Sequence, residues 1–574
     1  MKKGNTIRIY CENHGKHYEF PVGTTLKEMS EELCSTVTVE KTGKEIPVIA
    51  ALVDYRLKEL DFKANIPHTI KFIGYDDPDG RRTYVRSISF VLQNVISEMY
   101  PDKQLIIDYA LPSGHYCEIR ERKSLENGMP NIYQVSDKEL EEIKARMKKI
   151  INADLPYHKI KLATEDAIEI FEKNHQYAKA KLTQSIGKYT TSVYFLDGKA
   201  DTFYGPLVPS TGYLKVFDIV AFSDGFCLQY PAEGYTETVM PVKRQSRIAT
   251  ALKEHSNWLG IMGVNAVGTL NNAVMSGEVI ELINFSEALH ERKYTYIADQ
   301  IYAKREEIKI VFIAGPSSSG KTSTSKRLAI QCRILGLNPK VLELDNYFVD
   351  REFTPKDDEG NYDFEALEAM DLDLLNHQLN ELLEGKTIEV PRFSFQEGKR
   401  YFNGDYMKLE DKDILIMEGI HALNPAMLYD VDKSKIFRVY ASALTSLSLD
   451  ENNNISTSDN RMLRRMIRDN RTRGISPEDT ILRWSSVRRG ENKNIFPFQE
   501  NADAVFNSAH IFELPVLKYY AEPLLRRIPP RSQAFTEATR LLKFLEYIVA
   551  LSPEEITAIP PTSILREFVG GQIL

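Results

Sequence analysis

Between Gly315 and Ser323 the chain reads GPSSSGKTS, and its residue types and spacing carry chemistry. Gly315, Pro316, Ser317, Ser318, Ser319, Gly320, Lys321, Thr322 and Ser323 fit the pattern G-x-x-x-x-G-K-[ST]. Gly315 and Gly320 let the backbone turn tightly, so that successive N–H groups point inward at phosphate oxygens. A helix beginning at this loop adds the positive end of its dipole. Lys321 reaches toward β- and γ-phosphates, and the Thr322 hydroxyl is a ligand for Mg²⁺. The stretch therefore implies a site for a nucleoside triphosphate, with ATP and Mg²⁺ as the expected pair.

The flanking elements support that reading. Before the loop lies an apolar, β-branched run, Ile308 to Ile313, and after it a helix-forming segment, SKRLAIQCRIL. Strands and helices then alternate over 307–520: KVLEL ending at Asp345–Asn346–Tyr347–Phe348, the helix ALEAMDLDLLNHQLNELLEG, TIEVPRF, DILIM ending at Glu418–Gly419, and IFRVYAS. This order predicts a doubly wound parallel sheet, whose ligands bind beyond the carboxyl ends of its strands. Gly315, Asp345 and Glu418 all stand at such ends, so they are expected in one pocket. Downstream, nine arginines lie between Arg461 and Arg489 against three acids, Asp469, Glu478 and Asp479. Arg461, Arg465 and Arg468 share a helical face and Arg473 closes it. Beside a phosphate loop such a helix reads as a lid whose arginines neutralise transferring phosphate; the alternatives are a solvated helix or an RNA-binding stripe. The preceding DENNNIST reads as a polar, flexible loop.

From Ile308 onward the motifs GPSSSGKTS, LELDNYF, EGKTIEVPRFSF, DILIMEGIHAL and RRMIRDNRTRG, in that order, resemble the uridine kinase and phosphoribulokinase group of P-loop kinases. The resemblance implies that Asp345 accepts the proton of the acceptor hydroxyl or acts through Mg²⁺. It also implies that Glu418 holds Mg²⁺ with Thr322, and that Lys321, Arg465, Arg468 and Arg473 stabilise the phosphoryl group. Tyr347, Asp363, Phe393 and Arg468 are the implied substrate contacts. Where uridine kinases hold the pyrimidine with a tyrosine and a histidine, this chain has Phe393 and Gly398, and Ile475 replaces one lid arginine. The expected activity is ATP-dependent phosphorylation of a nucleoside 5′-hydroxyl, uridine- or cytidine-like, or of a similar sugar hydroxyl.

The 574 residues exceed one core and suggest about three or four domains. Residues 1–76 follow a β-β-α-β order and resemble the TGS domain, a ubiquitin-like β-grasp module of threonyl-tRNA synthetases. His14 and His17 flank its first turn, as a solvated hairpin rather than a metal site. Residues 77–245 resemble the α+β editing domain of those synthetases, through SEMYPDKQLIIDYALPSGHYCEI, KKIINADLPYHKIKLATEDAIEIFE and YGPLVPSTGYLKVF. Arg86 and Phe90 stand where that family has histidines, and Phe203 and Leu207 where it has a cysteine and a histidine. Neither Phe nor Leu can move a proton or ligate a metal, so the module is read as catalytically dead. His115 and His158 are read as structural. Residues 246–306 form a helical connector, and 521–574 a helical tail, which leaves dimerisation and docking onto the kinase both open.

A net charge of −8 supplies no global attraction to nucleic acid or membranes, and no apolar run reaches spanning length. Five scattered cysteines lack disulfide or zinc spacing, which points to a reducing compartment and a cytoplasmic protein. A nucleoside or sugar is the expected partner. The alternative is a nucleotide-dependent regulator that contacts tRNA or the ribosome through the N-terminal half and uses the phosphate loop as a switch.

Overall fold

The computed structural model describes residues 5–40, 42–122, 131–231, 237–242, 246–356, 360 and 362–574. The architecture is multidomain, α+β in the N-terminal half and α/β in the C-terminal half. The first unit is a mixed five-stranded sheet in the order Lys16–Pro21, Thr6–Cys11, His68–Ile73, Ala50–Val53, Arg56–Lys58. Thr6–Cys11 and His68–Ile73 run parallel, and the helix Leu26–Leu33 is packed into their core through Leu26 and Met29. That helix starts where Thr25 and Glu28 form a reciprocal capping box, which satisfies N–H groups that its first turn cannot.

Next, the 22-residue helix Pro78–Met99 lies on an antiparallel sheet of Lys103–Leu111, Gly114–Glu121, Gly225–Gln229 and Asp218–Phe222. The positions that would carry ester-hydrolysing groups are packed shut. Phe90 and Phe203 meet with ring centroids 5.6 Å apart, and Leu207 is buried in the same cluster. Buried Arg86 donates from Nε to the Pro206 carbonyl (3.1 Å) and from Nη2 to Thr83 Oγ1 (3.1 Å). His115 is buried and hydrogen-bonded to the Tyr230 hydroxyl at 3.0 Å, while His158 is exposed on a strand.

Three helices, Ser246–Ile261, Val267–Ser276 and Val279–Ala303, lead into the parallel sheet. Its strand order is Asn338–Glu343, Asp413–Glu418, Ile310–Ala314, Ile436–Ser442, Ala504–Asn507, all parallel. Ile310–Ala314 and Asp413–Glu418 are buried at every residue, as a sheet covered on both faces requires. TIEVPRF does not join this sheet. Only Ile388–Glu389 and Arg392–Ser394 are extended, each in a two-stranded ribbon, because Pro391 interrupts the run. The expected helix from Ala366 begins at Leu372, where Asp371 caps it.

The tail docks on the kinase half. Leu541, Phe544 and Leu545 of the helix Phe535–Leu545 share a core with Met462, Leu463 and Met466 of the lid helix. The loop DENNNIST, expected to be flexible, is instead buried. Asp450, Asn452 and Asn453 are 4–6% exposed, and the segment bonds to the N-terminal half: Asn452 Nδ2 to Leu105 O, Asn453 Nδ2 to Thr202 O, and Ile107 N–H to Glu451 O. Polar residues go inside where partners are at hand, and most of the polar groups here have one, though the Asn452 Oδ1 has none among the described residues. All five cysteines are free, four of them buried, and among the described residues no helix is long and apolar enough to cross a membrane.

Candidate active site

The strand Ile310–Ala314 delivers the loop, and the helix Lys321–Ile334 receives it. A side chain at Gly315 would place its Cβ 2.0 Å from the Ala441 carbonyl on the neighbouring strand. Gly320 has φ +80°, and Ser318 holds a left-handed φ of +59° without being glycine, a local strain that concentrates at functional sites. The Ser318 and Ser319 hydroxyls are buried without a partner among the described residues. Orphaned hydroxyls in a loop of this shape suit the oxygens of a phosphate ligand.

Around the loop, the ends of adjacent strands converge as expected. Thr322 Oγ1 donates to Glu418 Oε1 at 2.5 Å, and Lys321 Nζ rests 3.3 Å from the Pro316 carbonyl. Burial pushes the Glu418 carboxyl up to about 7 against the pull of Lys321, and nearby Asp345 adds to the rise. Asp345, on the turn Leu344–Tyr347, is raised chiefly by burial, opposed by Lys321 and more weakly by Arg473. Two carboxylates and one ammonium thus share a small volume, an arrangement a divalent cation would relieve. Among the described residues no cluster of three or more His, Cys, Asp and Glu side chains is arranged to hold a metal by itself. The donor set present, one hydroxyl and one or two carboxylates, fits Mg²⁺ that completes its shell with water and phosphate oxygens.

The lid helix, Thr457–Thr472, divides its arginines between two tasks. Arg461 and Arg464 are fully buried and ion-paired, to Glu491 and Glu513 respectively. Arg461 also donates to the Ser317 carbonyl (3.0 Å) and Glu491 accepts the Ser317 N–H (3.1 Å), so this pair holds the loop rather than the ligand. Arg465, Arg468 and Arg473 gather on the single buried carboxylate of Asp469, at 3.3, 2.8 and 3.7 Å. Arg465 additionally donates to Ser317 Oγ at 2.9 Å, at the mouth of the loop. Three guanidinium groups on one carboxylate leave a net positive surface facing the phosphate position.

Of the expected acceptor contacts, Tyr347 does not reach the site. It is fully buried and its hydroxyl donates to Gln378 Oε1 at 2.9 Å, because the turn after the strand directs it into the core. Asp363 accepts the Glu365 N–H at 3.1 Å and shapes the turn there. Phe393 belongs to an aromatic wall, 5.6 Å from Phe348 and 5.2 Å from Phe395, between ring centroids. Arg351 fills the space beside Gly398 and donates to the Phe395 carbonyl.

Four acidic residues went unseen in the sequence. Glu491 and Glu513 pair with the lid arginines. The Glu365 carboxyl is pushed up to about 7, by burial first and then by Glu491, with Arg465 and Lys321 opposing. Glu567, from the tail, accepts the Ser323 N–H (3.3 Å) and hydroxyl (2.5 Å). Gln572 donates to Ser323 Oγ at 2.7 Å, and Ile564 packs where a Gly320 side chain would lie. No local pattern marks these residues, since their partners lie between about 30 and 240 positions away in the chain.

Residues 310–512 match the model of the phosphoribulokinase/uridine kinase family. The uridine kinase of Ligilactobacillus salivarius is 31% identical over 206 residues, 35% of this chain and 87% of that protein. The uridine kinase of Staphylococcus epidermidis is 32% identical over 200 residues, 34% of this chain and 86% of that protein. The N-terminal half is similar to the threonine–tRNA ligase of Acetivibrio thermocellus, at 27% identity over 213 residues, 37% of this chain and 31% of that protein. The chain thus spans about a third of the length of the threonine–tRNA ligases it matches. With the loop, the two strand-end carboxylates and the lid arginines in one place, the chain belongs to the phosphoribulokinase/uridine kinase family through its C-terminal half, which is joined to a threonine–tRNA ligase-like N-terminal half.

Proposed function

We propose that this kinase transfers the γ-phosphoryl group of ATP to the 5′-hydroxyl of a nucleoside. The convergence of Lys321, Thr322, Asp345 and Glu418 at the carboxyl ends of three adjacent parallel strands carries the proposal. The acceptor oxygen forms the new P–O bond as the bond from the γ-phosphorus to the β,γ-bridging oxygen breaks. ADP leaves with the electron pair, and the hydroxyl proton passes to the Asp345 carboxylate. Burial makes Asp345 a better proton acceptor than an exposed aspartate, and a position beside Lys321 keeps it ionised until then. Mg²⁺, when bound at Thr322 and Glu418, offsets charge on the β- and γ-phosphates. Lys321 and Arg465, Arg468 and Arg473 stabilise the equatorial oxygens, and positioning supplies much of the remaining rate. The loop from Ser318 to Ser323 holds the triphosphate by backbone N–H groups. Asp363 and the Phe393 wall receive the sugar and base.

The aromatic wall also bears on selectivity. A site that stacks a base without hydrogen-bonding its edge separates bases by about 10- to 200-fold, far below the 10⁴ or more of a site that bonds the edge. Uridine and cytidine are accordingly both substrates. The test is ADP release from the full chain with Mg-ATP and a nucleoside panel, beside Lys321→Ala and Asp345→Asn. Acceptor-stimulated release in the wild type alone supports the proposal; release indifferent to every acceptor overturns it.

A further inference from the structure

The N-terminal half and the kinase meet at a cavity of about 510 Å³, away from the phosphate loop. It is lined by the antiparallel sheet, the helices Tyr177–Ser185 and Ser246–Ile261, and the segment following the strand Ile436–Ser442. The volume falls in the range of small-molecule sites.

Its floor holds a buried carboxyl, Asp108. In the sheet, Ile107 pairs with Cys117 and Ala110 with His115, so Asp108 and Tyr109 together face Tyr116 alone. This bulge turns Asp108 out of the ladder and into the cavity wall, a common use of bulges beside binding sites. Asp108 is 9% exposed and lies within the field of Arg120, whose guanidinium is itself bound to Glu118. Burial pushes it up to about 7 against the pull of Arg120, with Glu118 adding to the rise. The other acids on the wall already have hydrogen-bond partners. Asp450 accepts from Asn453 and lies 3.8 Å from Lys179, while Glu451 accepts the N–H groups of Ala178 and Lys179. Arg120 is paired with Glu118. The Ser446 hydroxyl, also on the wall, is buried without a partner among the described residues. At the rim stand Lys181, exposed, and Arg122, whose Nε likewise has no partner among the described residues.

We propose that this cavity binds a small zwitterionic amine, its ammonium on Asp108 and its carboxylate or phosphate toward Arg122 and Lys181. A bare cation would satisfy the floor but face two cations at the rim; a bare anion would meet the Asp108 carboxyl. Ser446 and Glu451 belong to the buried segment that runs from the strand beside the phosphate loop to the lid helix. Occupancy is therefore coupled to the lid, and by reciprocity nucleotide changes affinity for the amine by the same factor as the amine changes affinity for nucleotide.

The test is calorimetric titration of the full chain with each proteinogenic L-amino acid, O-phosphoethanolamine, putrescine and acetate. The readout is binding, so its failure is separable from any failure of the kinase reading. At least one amino acid or phosphoethanolamine is expected to bind, and the two acid groups tell the sources apart. Asp108→Asn should weaken it about 10- to 100-fold, as loss of a charge-assisted hydrogen bond does. Lys181→Ala, a surface change that leaves folding alone, should weaken it about two- to fivefold. Mg-ATP should shift its affinity in the wild type. No binding by any zwitterion, binding of putrescine alone, or binding unaltered in both variants overturns the proposal. Binding without a shift by Mg-ATP overturns its coupling to the lid.

Discussion

Glu567→Gln isolates the contact between the tail and the phosphate helix. The substitution keeps size and removes charge from a side chain that accepts both the Ser323 N–H and its hydroxyl. Hydrogen bonds to a charged group contribute about 1.5–3 kcal/mol and neutral ones about 0.5–1.5. The positive end of the helix adds about 0.3–1 kcal/mol for a carboxylate in its first turn. Glu567 is partly exposed, so the neutral amide weakens the tail's hold by only about 1–2 kcal/mol. Under the proposed function Ser323 is one of the loop positions whose N–H groups receive nucleotide phosphates, so a phosphate reaching it displaces the carboxylate. The cost of displacement then enters the apparent affinity, and removing about 1–2 kcal/mol of it lowers the Kd for Mg-ATP about 5- to 30-fold. Titration calorimetry with Mg-ATP, Mg-ADP and adenosine reads this directly. Adenosine, which has no phosphate, should bind the two proteins alike. Unchanged or weaker ATP binding in Glu567→Gln, or an equal gain for adenosine, would refute the competition between carboxylate and phosphate.

Further outcomes follow from the same structure. Glu491→Gln strands Arg461, 1% exposed, and should cost about 3–5 kcal/mol; Glu546→Gln, at an exposed pair with Lys188, should cost under about 0.5 kcal/mol. Thermal unfolding compares them. Burial pulls His115 down to about 4. Between pH 6.5 and about 4 the unfolded chain therefore binds a proton that the folded chain does not, and stability falls as pH falls. The slope from this group approaches about 1.4 kcal/mol per pH unit, and chemical denaturation of His115→Gln across that window should show a shallower loss. Selectivity between uridine and cytidine, read as the ratio of kcat/KM, should stay within about 200-fold; a ratio above about 10⁴ would mean that some group reads the base edge.

The sequence exposed what is local. The phosphate loop is announced by a buried strand, two glycines and a helix in one stretch of chain, and Asp345 and Glu418 follow from standing at strand ends. Tyr347 was misplaced because two residues of turn decide whether a side chain faces solvent or core, and motif spacing does not carry that torsion. DENNNIST was misread because polarity marks a need for hydrogen bonds without saying who supplies them; here the partners are Leu105, Thr202 and Ile107, more than 240 residues earlier. Separation along the chain also hid Glu567 and Glu491, whose loop partners Ser323 and Ser317 lie 244 and 174 residues away. The strand Ala504–Asn507 is too short for periodicity to mark it.

The central claim is phosphoryl transfer to a nucleoside hydroxyl, and product identification tests it most directly. The full chain is incubated with γ-labelled Mg-ATP and nucleosides, and the labelled product is separated and mapped. Label in a nucleoside 5′-monophosphate, absent with Lys321→Ala, is the expected result. Label only in inorganic phosphate, or no transfer while ATP binds, would contradict the account.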